Sequence, residues 1–361
     1  MTKKTEIVQD GKRYLVVDTP TEKVCAGVDY KSSFRKKDGF FFRFGKTKED
    51  DPQFSPIGNE IADIEITTSC AGIPNKAGVK SPCAFCYKAN TIHGTYMPLA
   101  VFKQVFANLP AATNQIAFGV DAECKTNPEW FDIFKYTREQ GVIPNVTVAN
   151  IDDETADKLV SVCGAVAVSR YSNKDVCYDT VKRLTDRGLK QTNIHILVSE
   201  ETYDDILESF NDIKTDSRLK GLNAIVLLSL KKKGRGVSFN SISQEKFEHL
   251  IRVAFSNNIR VGFDSCSCHK FLNSITSLPK SVQEQLTKLA EPCESTCFSI
   301  YVNVEGYVFP CSFCEESSAF AGKIDLKKPV DFIKDVWYND DIKGFRKTLL
   351  KNERNCPIYQ V

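Results

Sequence analysis

The sequence predicts an α/β protein: a partial barrel of parallel strands over residues 59–265, an N-terminal β-rich cap over 1–58, and a small cysteine-rich α+β segment over 266–361. Three observations carry this. Seven short apolar runs alternate with amphipathic segments between residues 61 and 265. Parallel neighbours need a crossover of a dozen or more residues, so that rhythm implies βα units on a parallel sheet. Before it, short apolar runs open at Asp-Gly turn signals. After it the rhythm stops, and seven of the 14 cysteines lie between Cys266 and Cys356.

Within the cap, DGKRYLVVD and DGFFFRFGK read as strands entered through turns. The barrel strands follow as IADIEITT (61–68), QIAFGV (115–120), IPNVTVAN (143–150), GAVAVS (164–169), TNIHILVS (192–199), NAIVLLSL (223–230) and IRVGFDS (259–265). The helix after the second run is signalled by Asn127 as N-cap, Pro128 at the first helical position, Trp130, Phe131 and Phe134 on one face, and Gly141 as terminator. Gly188 ends the helix after the fourth run in the same way. Six or seven such units close fully or leave an open barrel, and either way the chemistry belongs at the C-terminal ends of the strands. In the tail, FSIYVNVEGYVFPC reads as a hairpin turned at Glu305-Gly306, and PVDFIKDVWYNDDIKGFRKTLL is helical in pattern.

A net charge of +2 over 361 residues gives no basic field, so nucleic acid is not indicated as a partner. No apolar run is long enough for a membrane span, and the opening residues carry charge without a secretory pattern, so the expected location is the cytoplasm. In a reducing compartment 14 cysteines are not spent on disulfides; they hold metal or pack as small apolar side chains. Cys25, Cys124, Cys163 and Cys177 stand alone in periodic segments and read as buried thiols. Mixed-sign runs such as KTKEDD read as solvated surface.

The remaining ten cysteines fall in two groups. Cys70, Cys83 and Cys86 form a Cys-x12-Cys-x2-Cys loop directly after the first parallel strand, with Phe85 before the last thiol. Soft sulfur ligands select iron-sulfur clusters or zinc. A structural zinc site needs a fourth ligand, for which His93 is the local candidate. A cubane held by three thiolates instead leaves one iron open to substrate or cofactor. In position and ending the loop resembles the radical SAM superfamily, in which three cysteines after the first strand of a partial (β/α)6 barrel bind a 4Fe-4S cluster. Its first gap is longer than the family's commonest one.

That resemblance implies S-adenosylmethionine (SAM) on the open iron and its reductive cleavage to a 5'-deoxyadenosyl radical that abstracts hydrogen from a substrate. It also implies a reductant such as flavodoxin or ferredoxin. The glycine- and acid-containing stretch that holds the methionine amino group corresponds to FGVDAE, with Gly119 and Asp121 or Glu123. After the fourth strand, Ser169 and Arg170 are candidates for the SAM carboxylate, since arginine binds carboxylates in bidentate fashion. Asn150, Asn193 and His195 are strand residues able to face the interior, although a strand histidine is commonly a satisfied core residue. Lys231, Lys232, Lys233 and Arg235 stand at the rim after the sixth strand, able to hold a phosphate or an acidic peptide, or to be solvated surface.

In the second group, a hairpin at Gly306 is expected to join Cys297 to Cys311 and Cys314. This resembles the SPASM and Twitch domains of radical SAM enzymes, which implies an auxiliary 4Fe-4S cluster with Cys266, Cys293 or Cys356 as fourth ligand. A zinc ribbon-like site is the other reading of these thiols. By the same resemblance the substrate is a peptide or protein, with a nucleoside or other small molecule as the alternative. A non-catalytic zinc-binding or nucleic-acid-binding protein is the competing class.

Overall fold

The computed structural model describes residues 2–75 and 77–359. The chain begins as an antiparallel meander of five strands in sequential order: β1 (Lys3–Gln9), β2 (Lys12–Asp18), β3 (Glu22–Gly27), β4 (Lys31–Arg35) and β5 (Phe41–Phe44). Two-residue alternation puts Tyr14, Val16 and Cys25 on one face, where they are buried in a cluster with Cys297, Phe298 and Leu349 of the tail. The cap is thereby seated on the C-terminal segment.

Seven strands then run parallel: β6 (Ile61–Glu65), β9 (Gln115–Gly119), β10 (Ile143–Val148), β11 (Ala165–Ser169), β12 (Thr192–Val198), β13 (Ala224–Ser229) and β14 (Val261–Phe263). The small ladder of β7 (Ile73–Pro74) and β8 (Lys80–Ser81) lies in the loop after β6. Crossover helices α1 (Leu99–Ala107), α2 (Trp130–Glu139), α3 (Asp153–Val162), α4 (Lys174–Asp186), α5 (Tyr203–Thr215) and α6 (Gln244–Ser256) cover the outside of the sheet. Their buried faces meet outward strand residues such as Ile64, Ile116, Val168 and Ile194 in one core. Helix α2 starts at Trp130 rather than at Pro128. Asn127 still caps the turn that leads into it, its Oδ1 accepting from the Glu129 amide at 2.9 Å, while its side-chain amide donates to the carbonyls of Ile66 (3.0 Å) and Met97 (2.9 Å), tying two loops together.

After α7 (Cys268–Ser274) and α8 (Lys280–Thr287), the tail hairpin forms as β15 (Ser299–Val302) and β16 (Tyr307–Phe309), followed by β17 (Ile324–Asp325). Gly306, at φ +85°, takes the left-handed turn position that glycine adopts without penalty. Strand β15 pairs parallel with β6, Ser299 opposite Ile61 through Val302 opposite Ile64, so the hairpin continues the barrel sheet. The order is β14-β13-β12-β11-β10-β9-β6-β15-β16-β17: β6 is flanked by β9 and β15, and the barrel is open. The helical tail splits into a π-type turn at Phe332–Trp337 and α9 (Asp340–Lys351), because Asn339 caps α9 by accepting from the Asp341 amide.

Candidate active site

At the C-terminal ends of the parallel strands lies a cavity of about 450 Å³, and Cys70, Cys83 and Cys86 are in its wall. The loop that carries them is tightly held. The Cys70 amide donates to the Thr91 carbonyl at 2.7 Å. Gly72 sits at φ +84° where an added Cβ would be 1.8 Å from the Ser81 carbonyl oxygen, so the ladder of β7 and β8 closes only over glycine. Arg235 braces the loop from the other side: its Nε donates to the Cys83 carbonyl at 2.7 Å and its amide to the Cys86 carbonyl at 3.0 Å. Burial pushes the Cys83 thiol up to about 12, against the opposing pull of Tyr171 and Arg235.

Tyr171 stands close enough to all three thiols for each to act on its hydroxyl, and its ring stacks on Phe85 at 5.5 Å between centroids. Its neighbour Arg170 does something different. The side chain is 1% exposed and paired with Glu208 of α5 at 2.8 Å, while its Nε and Nη1 are buried without a hydrogen-bond partner. β11 ends at Ser169, and Arg170 and Tyr171 just beyond it both line the cavity, Arg170 with its Nη2 tied to Glu208.

The other expected cofactor residues divide. Gly119, Asp121, Ser169 and His195 line the cavity; Glu123 and Asn150 do not. At Gly119 a Cβ would come within 3.2 Å of Glu65 Cα, so the bare backbone keeps clearance there. The Asp121 carboxylate folds its own loop, accepting from the amides of Glu123, Lys125 and Thr126 at 2.8–2.9 Å. Glu123 pairs with Lys80 at 2.7 Å and accepts from Asn150 at 3.3 Å. His195 is held down at about 4 by burial, so its ring is neutral, 3.4 Å from the Thr147 hydroxyl. Asn193 accepts from Asn223 at 2.9 Å and is not in the cavity wall.

A buried polar network absent from the sequence reading joins the two cysteine groups. Lys88, two residues after Cys86, lies 3.2 Å from Glu65 at the end of β6, donates to Tyr301 Oη at 2.9 Å, and pairs with Glu315, the residue after Cys314. Tyr301 donates to Glu65 at 3.0 Å, and Asn303 donates to Glu315 at 2.9 Å. Tyr87 packs on Phe313 at 4.5 Å between centroids. Lys233 donates to the Glu315 carbonyl at 2.5 Å, and Lys231 is buried against Asp264 at 2.5 Å, so with Arg235 three of the four rim cations are structural.

In the second group the hairpin forms but Cys297 is elsewhere. Thr296 turns the chain at φ +59°, with its amide bonded to the Ser299 carbonyl at 2.8 Å, and β15 starts only at Ser299. Cys297 is thus directed beneath the cap, and the groups acting on its thiol after burial are Arg354, Arg346, Glu291 and Glu294. The thiols that do gather are Cys266, Cys293, Cys311, Cys314 and Cys356. Burial first, then Cys266, Cys311 and Cys356, raise Cys293 well above the usual thiol range. The sulfurs of Cys311 and Cys314 are 3.5 Å apart.

Among the described residues no three His, Cys, Asp or Glu side chains converge as ligands of one metal ion must. A cubane asks for something else: each thiolate binds a different iron, so the thiols surround a volume rather than meet at a point. Three thiols in the wall of one cavity fit that demand, as do five thiols drawn from four chain segments.

No protein-family model matches the chain, and no curated protein matches it. Solved structures of Streptococcus suis SuiB do. The complex of SuiB with its precursor peptide SuiA superposes with a TM-score of 0.63 at 11% identity, over 91% of this chain and 89% of that one. The fold is that of SuiB. SuiB bound to S-adenosylmethionine gives 0.55 at 12% identity, over 80% of this chain and 66% of that one. A further crystal structure of SuiB gives 0.56 at 12%, over 80% and 68%. Among the described residues no helix is long and apolar enough to cross a membrane.

Proposed function

We propose that this chain is a radical SAM enzyme that modifies a peptide or protein. The observation that carries the reading is the set of three thiols, delivered by the loop after the first parallel strand to a cavity at the strand ends. The SuiB fold, solved with SAM and with a precursor peptide, supports the cofactor and the substrate class by analogy. When bound, a 4Fe-4S cluster with SAM on its open iron supplies a 5'-deoxyadenosyl radical for hydrogen abstraction, with flavodoxin or ferredoxin as the source of electrons in the cytoplasm.

The chain's own residues do the positioning. Cys70, Cys83 and Cys86 hold the cluster, Arg235 and Phe85 fix the loop that presents it, and Tyr171 screens the thiols from water. Gly119 and Ser169 leave polar backbone and a hydroxyl facing the cofactor space. Neutral His195 and Thr147 offer hydrogen bonds without a competing charge. Four of Cys266, Cys293, Cys311, Cys314 and Cys356 hold a second, SPASM- or Twitch-like cluster, and the Lys88–Glu315 pair keeps the two cysteine loops in fixed register.

The test is anaerobic. Reconstituted, reduced protein is given SAM, and 5'-deoxyadenosine is measured by chromatography; wild type forms it and the Cys70→Ala, Cys83→Ala, Cys86→Ala triple variant does not. Equal product from both would dispose of the proposal.

A further inference from the structure

The charged side chains in the cavity wall each meet at least one partner in the protein, with one exception among the described residues. Lys88 is paired with Glu65 and Glu315, Lys231 with Asp264, and Arg170 with Glu208. Arg235 is engaged by two carbonyls, and Asp121 by three amides and the Thr126 hydroxyl. His195 is neutral. Asp63 remains. It sits in the middle of β6, on the inner side defined by Glu65 two residues later, and it lines the cavity. Among the described residues no hydrogen-bond or ion-pair donor reaches its carboxylate.

Its surroundings leave room for a ligand. Across the sheet Asp63 faces Ala117 on β9 and Tyr301 on β15. Ala117 is short and also lines the cavity, while the Tyr301 hydroxyl is turned to Glu65 and Lys88. Asp63 is half-buried, and a carboxylate drawn partly out of water without a partner either takes up a proton or is matched by a cation, for which this cavity leaves room. Burial accordingly raises the Asp63 carboxyl to about 6.

We propose that Asp63 is the substrate-recognition carboxylate of this cavity, receiving a cationic nitrogen of the substrate, the ammonium or guanidinium of a peptide lysine or arginine side chain. The assignment rests on reading the cavity as the active site. A charged partner is favoured over a neutral donor because hydrogen bonds between ions are about twice as strong as neutral ones. A substrate group is favoured over the cofactor because Asp63 lies two residues below the end of β6, whereas the three thiols come from the loop beyond that end.

SAM also carries an ammonium, so the test separates the two sources. Binding of n-butylammonium and of 1-butanol to the full-length, cluster-reconstituted protein is compared by ligand-observed NMR with SAM present, and SAM affinity is measured separately. The amine should bind at least tenfold more tightly than the alcohol. Asp63→Asn, close in shape and confirmed folded by circular dichroism, should bring the two to parity, and Asp63→Glu should retain a preference. Equal binding of amine and alcohol to wild type, or a preference surviving in Asp63→Asn, overturns the proposal. A tenfold loss of SAM affinity in Asp63→Asn also overturns it, by assigning the residue to the cofactor. If the protein neither holds iron nor binds SAM, the radical SAM reading falls, while the amine preference still decides the role of Asp63.

Discussion

Replacing Lys88 by Met keeps most of the side chain's length and volume while removing its charge, and leaves Glu65 and Glu315 facing each other with no cation between them. All three side chains are largely out of water, at 12%, 6% and 17% exposure. At about 3 Å and an effective dielectric of about 20, each ion pair is worth roughly 5 kcal/mol before desolvation is subtracted. Removing one partner of a buried pair costs about 3–5 kcal/mol, because the remaining charge stays buried. Partial exposure of Glu315 and the hydrogen bonds from Tyr301 and Asn303 soften this, so a loss of about 3 kcal/mol is expected. Urea unfolding followed by fluorescence of Trp130 and Trp337 measures it. The decisive form is a double-mutant cycle. Glu315→Gln in the Lys88→Met background should recover about 1–2 kcal/mol, since it removes a carboxylate that has lost its partner. Additivity within about 0.5 kcal/mol would refute the network as the link between the two cysteine loops.

The remaining predictions concern the thiols and the buried histidine. Cys311→Ser should lower iron by about four per chain, one cubane's content, whereas Cys297→Ser should leave it unchanged; iron and acid-labile sulfide analysis decides. His195 has a folded-state value of about 4, below its ordinary 6.5, so the unfolded chain binds the extra proton between those values and stability falls as pH drops through that window. His195→Asn removes this dependence. Its stability relative to wild type should improve by up to about 1.4 kcal/mol per pH unit from pH 6.5 towards 4, and a constant difference across that range would show the ring is not buried neutral.

Much of the barrel was legible because each strand is a short apolar run and each crossover an amphipathic helix, so local pattern and long-range pairing agree. All seven runs became parallel strands, some shorter than expected where their last residues turn into the cavity loops, as at Asn150 and Ser199. The cysteine loop was legible through its position after β6. What was not legible depends on single dihedrals and on partners far away in sequence. Perfect hairpin register would have carried Cys297 opposite Phe313, beside the Cys311–Cys314 pair, but the left-handed Thr296 breaks the strand first. Arg170 does line the cavity as expected, but the Glu208 that holds its Nη2 lies 38 residues on, in α5, and was not legible. Lys88 and Glu315 are 227 residues apart, and no local pattern marks them as partners. Strand parity offered a signal for Asp63, on the inner side of β6 with Glu65.

The central claim is that the loop thiols leave one iron open for SAM. Electron paramagnetic resonance of the reduced Cys311→Ala/Cys314→Ala protein tests it most directly, because the second cluster is then removed and only the loop cluster contributes. Addition of SAM should shift the signal, since the cofactor replaces solvent on the iron that lacks a thiolate. A cluster signal identical with and without SAM, or no cluster signal in a folded variant, would contradict the account.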